Sequence, residues 1–489
     1  MTRLAIDQPP GSRDTGNTSF DCRCVSIVQV RGELPIHPAI NASLASTARD
    51  IVMRILLLFI VCAATLQKPA QADWPQFRGP DGQGVARQSN IPLKWSGPEH
   101  VRWVVDVPGN AWSSPIVQGD RVWVTTAVET KPTTEQIEAQ FKESQLDREK
   151  FKRRQVAGSV SLRVQSYDRN SGEVALDTEL AYVKNPEAIH VGNSYASPTP
   201  FIEGDRLYVH FGVYGTFCLD RDSHRVIWRR SIPVFYSVGV GSSPVLYKNL
   251  IVLVCDGVDT QFIIALDKTT GETVWKTPRP PFRNEDGQHR KAYSTPLLIT
   301  HDGIDQLVIP GAQWVVSYDP STGDEIWRVD HGSGFSNVPR PVYRNGVVFI
   351  CTGYGQPQLW AINVDGKGDV TQSHVKWKEK SQIPKNPSPV LVDQLLFVIN
   401  DNGILTCLDS DTGETHWRKR IPGNYSASPV FANGHVFFFS HEGTVTAVKA
   451  SAEPSALIES AIDDQLMASP AILSDSVLLR TRHKLYCIE

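Results

Sequence analysis

The residues of this 489-residue chain that could do chemistry recur in two settings. One set shortly precedes a proline: Trp112, Asn193, Tyr195, Lys291, Tyr293, Asn337, Asn386, Asn424 and Tyr425. The other follows a β-rich run: His210, Gln313, Trp314, Asn400, Asp401, His441 and Glu442. Aromatic rings beside amides and a few charges suit a flat ligand, a glycan or an extended peptide. No stronger signature accompanies them. There is no phosphate-cradling glycine loop before a helix, no His-Glu-x-x-His and no Gly-x-Ser-x-Gly elbow. The histidines show no ligand spacing. Asp365-Gly366-Lys367-Gly368-Asp369 lacks the later acidic ligands of a calcium loop and reads as a long hairpin. Catalytic residues and a metal site are therefore not assigned.

These residues must be positioned by a repeat. Proline anchors occur at Ser114-Pro115, Ser197-Pro198, Ser243-Pro244, Thr295-Pro296, Arg340-Pro341, Ser388-Pro389, Ser428-Pro429 and Ser469-Pro470. Their spacings are 83, 46, 52, 45, 48, 40 and 41 residues, near the period of propeller blades after the first. Each anchor leads to a turn such as Glu203-Gly204-Asp205, then a β-rich run such as Leu207-Tyr208-Val209. A third run ends in Leu-Asp or a variant and passes through Thr-Gly to a tryptophan, as in Leu266-Asp267 to Trp275. Asp and Gly supply a tight hairpin, Pro is tolerated where a first strand begins, and the tryptophan packs on a neighbour.

Eight anchors predict an all-β, eight-bladed propeller of four-stranded antiparallel blades. The last blade stops at Glu489 without an outer strand, whereas 100–107 near the start carries the missing tryptophan strand. Pairing the two closes the ring and removes the open edges. Seven blades is the alternative, because the segment after Thr446 contains no tryptophan. The long first interval predicts a helical insertion over 130–156, opened by Thr133-Thr134 and carrying Ile137, Phe141 and Phe151. It reads as a helix lying on blade one, with a partner-docking site as the other reading.

Residues 53–72 read as a signal peptide: a short basic start, an apolar run from Ile55 to Leu66 and an Ala70-Gln71-Ala72 cleavage pattern. Residues 1–52 then read as a non-native or disordered leader, 73–92 as an N-terminal extension and 93–489 as the propeller. Phe59-Ile60-Val61-Cys62 is a poor lipid-attachment box. The expected location is exported, periplasmic or extracellular. The whole chain has 49 Lys+Arg against 52 Asp+Glu, and 42 against 47 after residue 72, so no basic excess favours nucleic acid. No apolar run is long enough to span a membrane, and 41% hydrophobic content excludes general disorder.

The Leu-Asp-x-x-Thr-Gly-x-x-x-Trp grammar, best in 265–275, 318–327 and 408–417, resembles the pyrroloquinoline-quinone (PQQ)-type propeller repeat. The opening Asp73-Trp74-Pro75-Gln76-Phe77-Arg78-Gly79 is similar to the start of many exported proteins with that repeat. The resemblance implies an eight-bladed propeller and two functional classes: non-enzymatic scaffolds like the outer-membrane assembly factor, and quinone- and calcium-dependent alcohol or sugar dehydrogenases. The alcohol-oxidising members use adjacent cysteines beside the quinone; no two cysteines here are adjacent, and no Cys-x-x-Cys-His binds haem. The five cysteines after residue 72 share equivalent strand positions only between non-neighbouring blades and read as buried packing. The expectation is a monomeric scaffold for envelope proteins or peptides, with glycans a further candidate. It needs no cofactor; PQQ with calcium belongs to the dehydrogenase alternative.

Overall fold

Where a third strand ends in Asp and continues x-x-Thr-Gly, the aspartate folds the backbone onto itself. Asp267 Oδ1 accepts from the backbone N–H groups of Thr269 (2.8 Å) and Thr270 (2.9 Å), and Gly271 takes φ +74°. The same turn recurs at Asp168 and Asp409. The turns at Asp267 and Asp409 send the chain into outer strands whose tryptophans, Trp275 and Trp417, face the next blade, whereas the outer strand after Asp168 has none.

The computed structural model describes residues 73–489 except Ser96 and Gln145. The leader and signal peptide read from the sequence lie outside the described residues. Eight antiparallel four-stranded blades form the ring, two of them widened by a short parallel strand. Blade three is typical: Val245–Tyr247, Leu250–Asp256, Gln261–Asp267 and Thr273–Pro278, each paired antiparallel with the next. Val101–Asp106 pairs with Lys484–Ile488, placing Trp103 opposite Cys487, so the N-terminal strand closes blade eight. Blade seven keeps four strands without a tryptophan, the last being Ile458–Ala461, which excludes the seven-bladed reading. Gly368–Asp369, inside the long hairpin of blade five, adds a parallel strand to blade four at Trp327–Arg328.

Five tryptophan side chains stitch blades together in the same way. The indole N–H groups of Trp103, Trp228, Trp275, Trp377 and Trp417 donate to the carbonyls of Arg169, Lys268, Pro320, Ser410 and Ser451 in the following blade. Trp327 departs: its N–H turns to Gln306 within its own blade, because blade five has a long hairpin where its neighbour's turn would stand.

The first strand of blade two corrects the sequence reading. It begins at Phe201, so Thr199-Pro200 is the structural counterpart of the other anchors and Ser197-Pro198 lies two residues early. The shift arises because Tyr195-Ala196-Ser197-Pro198-Thr199-Pro200 offers two hydroxyl–proline pairs, and only the second hydroxyl meets its inter-blade partners.

The insertion falls between the second and third strands of blade one, as helices Thr134–Ser144 and Arg148–Phe151. Its start is a reciprocal cap: Thr133 N–H donates to Gln136 Oε1 and Gln136 N–H to Thr133 Oγ1. Phe141 and Phe151 meet edge to face at 5.2 Å. All five cysteines are buried and unpaired, two in second strands and three in third strands. Among the described residues no helix is long and apolar enough to cross a membrane.

Candidate functional site

The site is a well along the ring axis, and its waist is built from the anchors. In six of the eight blades a backbone N–H just before the first-strand proline reaches the hydroxyl of the next blade's anchor. Ser114 N–H donates to Thr199 Oγ1, Thr199 N–H to Ser243 Oγ and Ser243 N–H to Thr295 Oγ1, at 2.9–3.0 Å. On the other side Arg340 N–H donates to Ser388 Oγ, Ser388 N–H to Ser428 Oγ and Ser428 N–H to Ser469 Oγ. The result is a belt of hydroxyls around the axis. The bonded series stops between blades eight and one, where Ser114 Oγ has no partner, and at blade five, where Val338-Pro339-Arg340-Pro341 places an arginine at the belt position.

That arginine holds the floor. Its Nη1 donates to the Phe77 carbonyl at 2.6 Å and its Nε to the Pro296 carbonyl at 3.0 Å. A glycine is required at 82, since a Cβ there would collide with the guanidinium. Beside it Arg78 donates from Nη2 to the carbonyls of Pro389 (2.7 Å) and Gln83 (2.6 Å). The segment from Trp74 to Ala86 thus crosses the hairpin-side end of the channel. Trp74 exchanges backbone hydrogen bonds with Val117 of blade one, the Pro75 carbonyl accepts from Ile202 of blade two, and Val85–Ala86 pairs with blade seven. Burial depresses both guanidinium pKa values, Arg340 to about 10 and Arg78 to about 9, the second also repelled by the first.

Above Phe77 the cavity measures about 530 Å³ and opens at the other end. Trp112, Asn193, Tyr293, Lys291, Asn386 and His441 line it. Burial, with the nearby Arg154, brings the Lys291 ammonium down to about 8, and its Nζ donates to Gln288 Oε1. The Asn193 amide is spent on the carbonyls of Val238 and Val240.

Other residues expected at the mouth sit elsewhere. Tyr195 and Tyr425 are packed in blade cores, with their hydroxyls on the carbonyls of Glu187 and Pro422. His210 is buried against Thr216 Oγ1, and Asn337 against the Cys351 carbonyl. Gln313 and Trp314 stand on the rim of blade four. Gln313 Oε1 accepts from Arg283 N–H, and the Trp314 indole donates to the Pro281 carbonyl. Asn424 pairs with Glu442, and Asp401 accepts from Asn386 and Lys385, outside the well wall. Asn400 donates to Gln382.

The sequence reading missed the belt hydroxyls, Phe77, Phe335 and Tyr354. The usable signal was the one anchor with arginine instead of a hydroxyl. Phe335 stands on the rim between His289 (4.7 Å, edge on) and Tyr354 (6.5 Å), with Lys385 5.4 Å from the Tyr354 ring centre. Phe282, Arg283 and Asn284 continue this surface beside Phe335.

A calcium ion asks for several carboxylate and carbonyl oxygens. The well wall carries no Asp or Glu side chain among the described residues, and no cluster of His, Cys, Asp and Glu there could hold a metal. This donor set does not fit the calcium that a quinone would need.

A family model described as outer membrane protein assembly factor BamB matches residues 98–277, 161–309, 311–373 and 360–453. The BamB of Legionella pneumophila (strain Paris) is 20% identical over 264 residues, 52% of this chain and 51% of that protein. The BamB of Alteromonas naphthalenivorans is 38% identical over 138 residues, 26% of this chain and 30% of that protein. The chain therefore spans about half the length of the first of these relatives and less of the second. Among solved structures, BamB from Moraxella catarrhalis superposes with a TM-score of 0.52 at 12% identity, over 79% of this chain and 95% of that one. Quinohemoprotein alcohol dehydrogenase from Comamonas testosteroni gives 0.57 at 11% identity, over 85% and 80%. At these identities the structural likeness is one of fold.

Proposed function

The chain belongs to the PQQ-like propeller family described as outer membrane protein assembly factor BamB, and from that premise we propose that it is an exported, monomeric scaffold of the cell envelope. Its partners are other proteins, bound at the open-mouth face. The observation that carries this reading is the row His289, Phe335, Tyr354 on the rim, capped by Lys385. Rigid aromatic side chains with an arginine nearby, here Arg283 beside Phe335, are the composition of interface anchors, which give large contact area at low entropic cost. The reading requires no cofactor.

The test is site-specific photo-crosslinking in the organism that makes the protein. A crosslinker at Phe335 is expected to trap a discrete protein, and Tyr354→Ala should abolish the product. A crosslinker at Asp222, on the opposite hairpin face, should trap none. Equal products from both faces would sink the proposal. Titration of residues 73–489 with PQQ and calcium, plus a dye acceptor and an alcohol panel, checks the dehydrogenase alternative. Stoichiometric quinone binding with dye reduction would replace the scaffold reading.

A further inference from the structure

The well has a chemistry of its own that a rim-binding scaffold does not use. Thr199, Ser243, Thr295, Ser388 and Ser469 line it, and each is at most 5% exposed. Each of these oxygens already accepts a backbone N–H from the neighbouring blade. Ser388 Oγ also accepts from Ser428 Oγ. What remains free is the hydroxyl proton, for which the structure offers no acceptor among the described residues. A hydroxyl has one proton to give and two lone pairs to accept with, one of which the backbone N–H already occupies, so each belt position keeps a free donor for a ligand in the well.

The charged side chains of the wall and of the floor beneath it are cations, whereas Asp401 and Glu442 stand behind the lining residues Asn386 and His441. Arg340 occupies the belt position of blade five and Arg78 lies beside it, both buried beneath Phe77. Asp81 is the single carboxylate coupled to the pair, and it is exposed. Arg78 Nε and Nη1 have no hydrogen-bond partner. Lys291 adds a nearly buried ammonium to the wall, and the wall has no Asp or Glu side chain among the described residues. Convergent donors and buried cations stabilise negative charge in a low-dielectric site.

We propose that this blind well binds a small organic anion, its carboxylate or phosphate oxygens taken by the hydroxyl belt and its body held between Trp112, Tyr293 and Tyr354. The volume of about 530 Å³ falls in the range of small-molecule pockets and exceeds what a bare phosphate fills.

Calorimetric titration of residues 73–489 with benzoate, phenyl phosphate, benzamide and inorganic phosphate tests this. Saturable 1:1 binding of benzoate or phenyl phosphate is expected, weakened by salt, with none for the neutral amide. Which of the two binds tells a carboxylate ligand from a phosphate one. Thr295→Val should weaken binding about tenfold, as removal of one hydrogen bond to a charged group does, and Thr295→Ser should restore it. If Thr295→Val fails to fold, Lys291→Gln reads the charge contribution without touching the belt and should also weaken binding. Benzamide binding as tightly as benzoate, or no binding of either anion, would overturn the proposal. Inorganic phosphate binding as tightly as phenyl phosphate would overturn the assignment of an organic body.

Discussion

The two faces of the ring are made under different rules. On the hairpin face the same parts recur: an aspartate accepting two backbone N–H groups, a glycine with positive φ, and a neighbour's tryptophan over it. On the mouth face almost nothing recurs. Blade two contributes Asn193 to the well, blade four Lys291 and Tyr293, and blade seven His441 of its second-to-third-strand loop. The repeated face holds the blades together, so each copy is constrained by its neighbour. The unrepeated face is free to carry recognition. This division predicts that substitutions on the hairpin face cost stability, whereas those on the mouth rim cost binding.

The largest expected effect breaks the hairpin-face seam. Trp275 is buried, and its indole donates to the Pro320 carbonyl across the blade boundary. Trp275→Ala should remove about 4 kcal/mol, the ordinary cost of deleting a buried aromatic ring. Phe335→Ala, on the half-exposed rim, should cost under about 1 kcal/mol. Guanidinium denaturation of residues 73–489 measures both. Equal losses would end the distinction between the faces.

Acid acts next, through buried histidines on both faces. His210 and His331, both on the mouth side, are buried, and burial pushes each imidazole down to about 4. His331 Nε2 lies 2.9 Å from the Gly311 carbonyl, and its Nδ1 has no partner. Their folded-state pKa lies below the unfolded value, so the neutral form is favoured by folding. Their contribution is complete above about pH 6.5 and is lost as pH falls toward 4, up to about 3 kcal/mol for each. His224 of the hairpin face is pushed down to about 4 as well, by burial and then by Arg121, whereas the hairpin aspartates act lower. The Ser171 backbone N–H holds Asp168, and the Ser223 hydroxyl Asp220, below the ordinary carboxylate range. Those groups stabilise the fold above their unfolded pKa near 4, and lose effect only as pH falls below it. Denaturation midpoints should therefore decline from pH 6.5 to 4 in the native protein. In a His210→Gln, His331→Gln variant that folds, the same window should be flatter.

This division also explains what was legible in the sequence. Asp-x-x-Thr-Gly and the following tryptophan are read by the same partners in several blades, so repetition alone exposed eight blades, the closure through Trp103 and the insertion between two strands of blade one. The candidate site was legible only in part. Asn193 and Tyr195 are two residues apart in the same loop, yet one lines the well and the other packs in the blade core. No sequence period distinguishes them, because the loop has no regular backbone to set which side chain faces the axis. The belt was hidden for the opposite reason: its serines and threonines look like ordinary strand-start residues until neighbouring blades supply their donors. The floor lay in the segment 73–86, whose partners are scattered around the ring, from Val117 for Trp74 to Arg340 for Phe77 and Phe431 for Val85.

The finest test asks whether the hairpin glycines are there for the backbone or for the neighbour's ring. Gly271 and Gly204 both have positive φ, +74° and +59°. A Cβ on Gly271 would lie 2.7 Å from the Trp228 ring, whereas one on Gly204 would meet nothing within 4 Å. Blade two already supplies a natural control. Blade one has no outer-strand tryptophan, and the facing turn of blade two carries His224 at φ +54° where blades one, three, four and six have Gly172, Gly271, Gly323 and Gly413. The left-handed backbone alone thus tolerates a side chain when no ring covers it. Gly204→Ala should cost about 1 kcal/mol, the conformational term. Gly271→Ala should cost about 2 kcal/mol more, the overpacking term. If the two variants unfold at the same denaturant concentration, the glycine is a backbone requirement alone. A gap between them shows that its missing Cβ is the socket for Trp228.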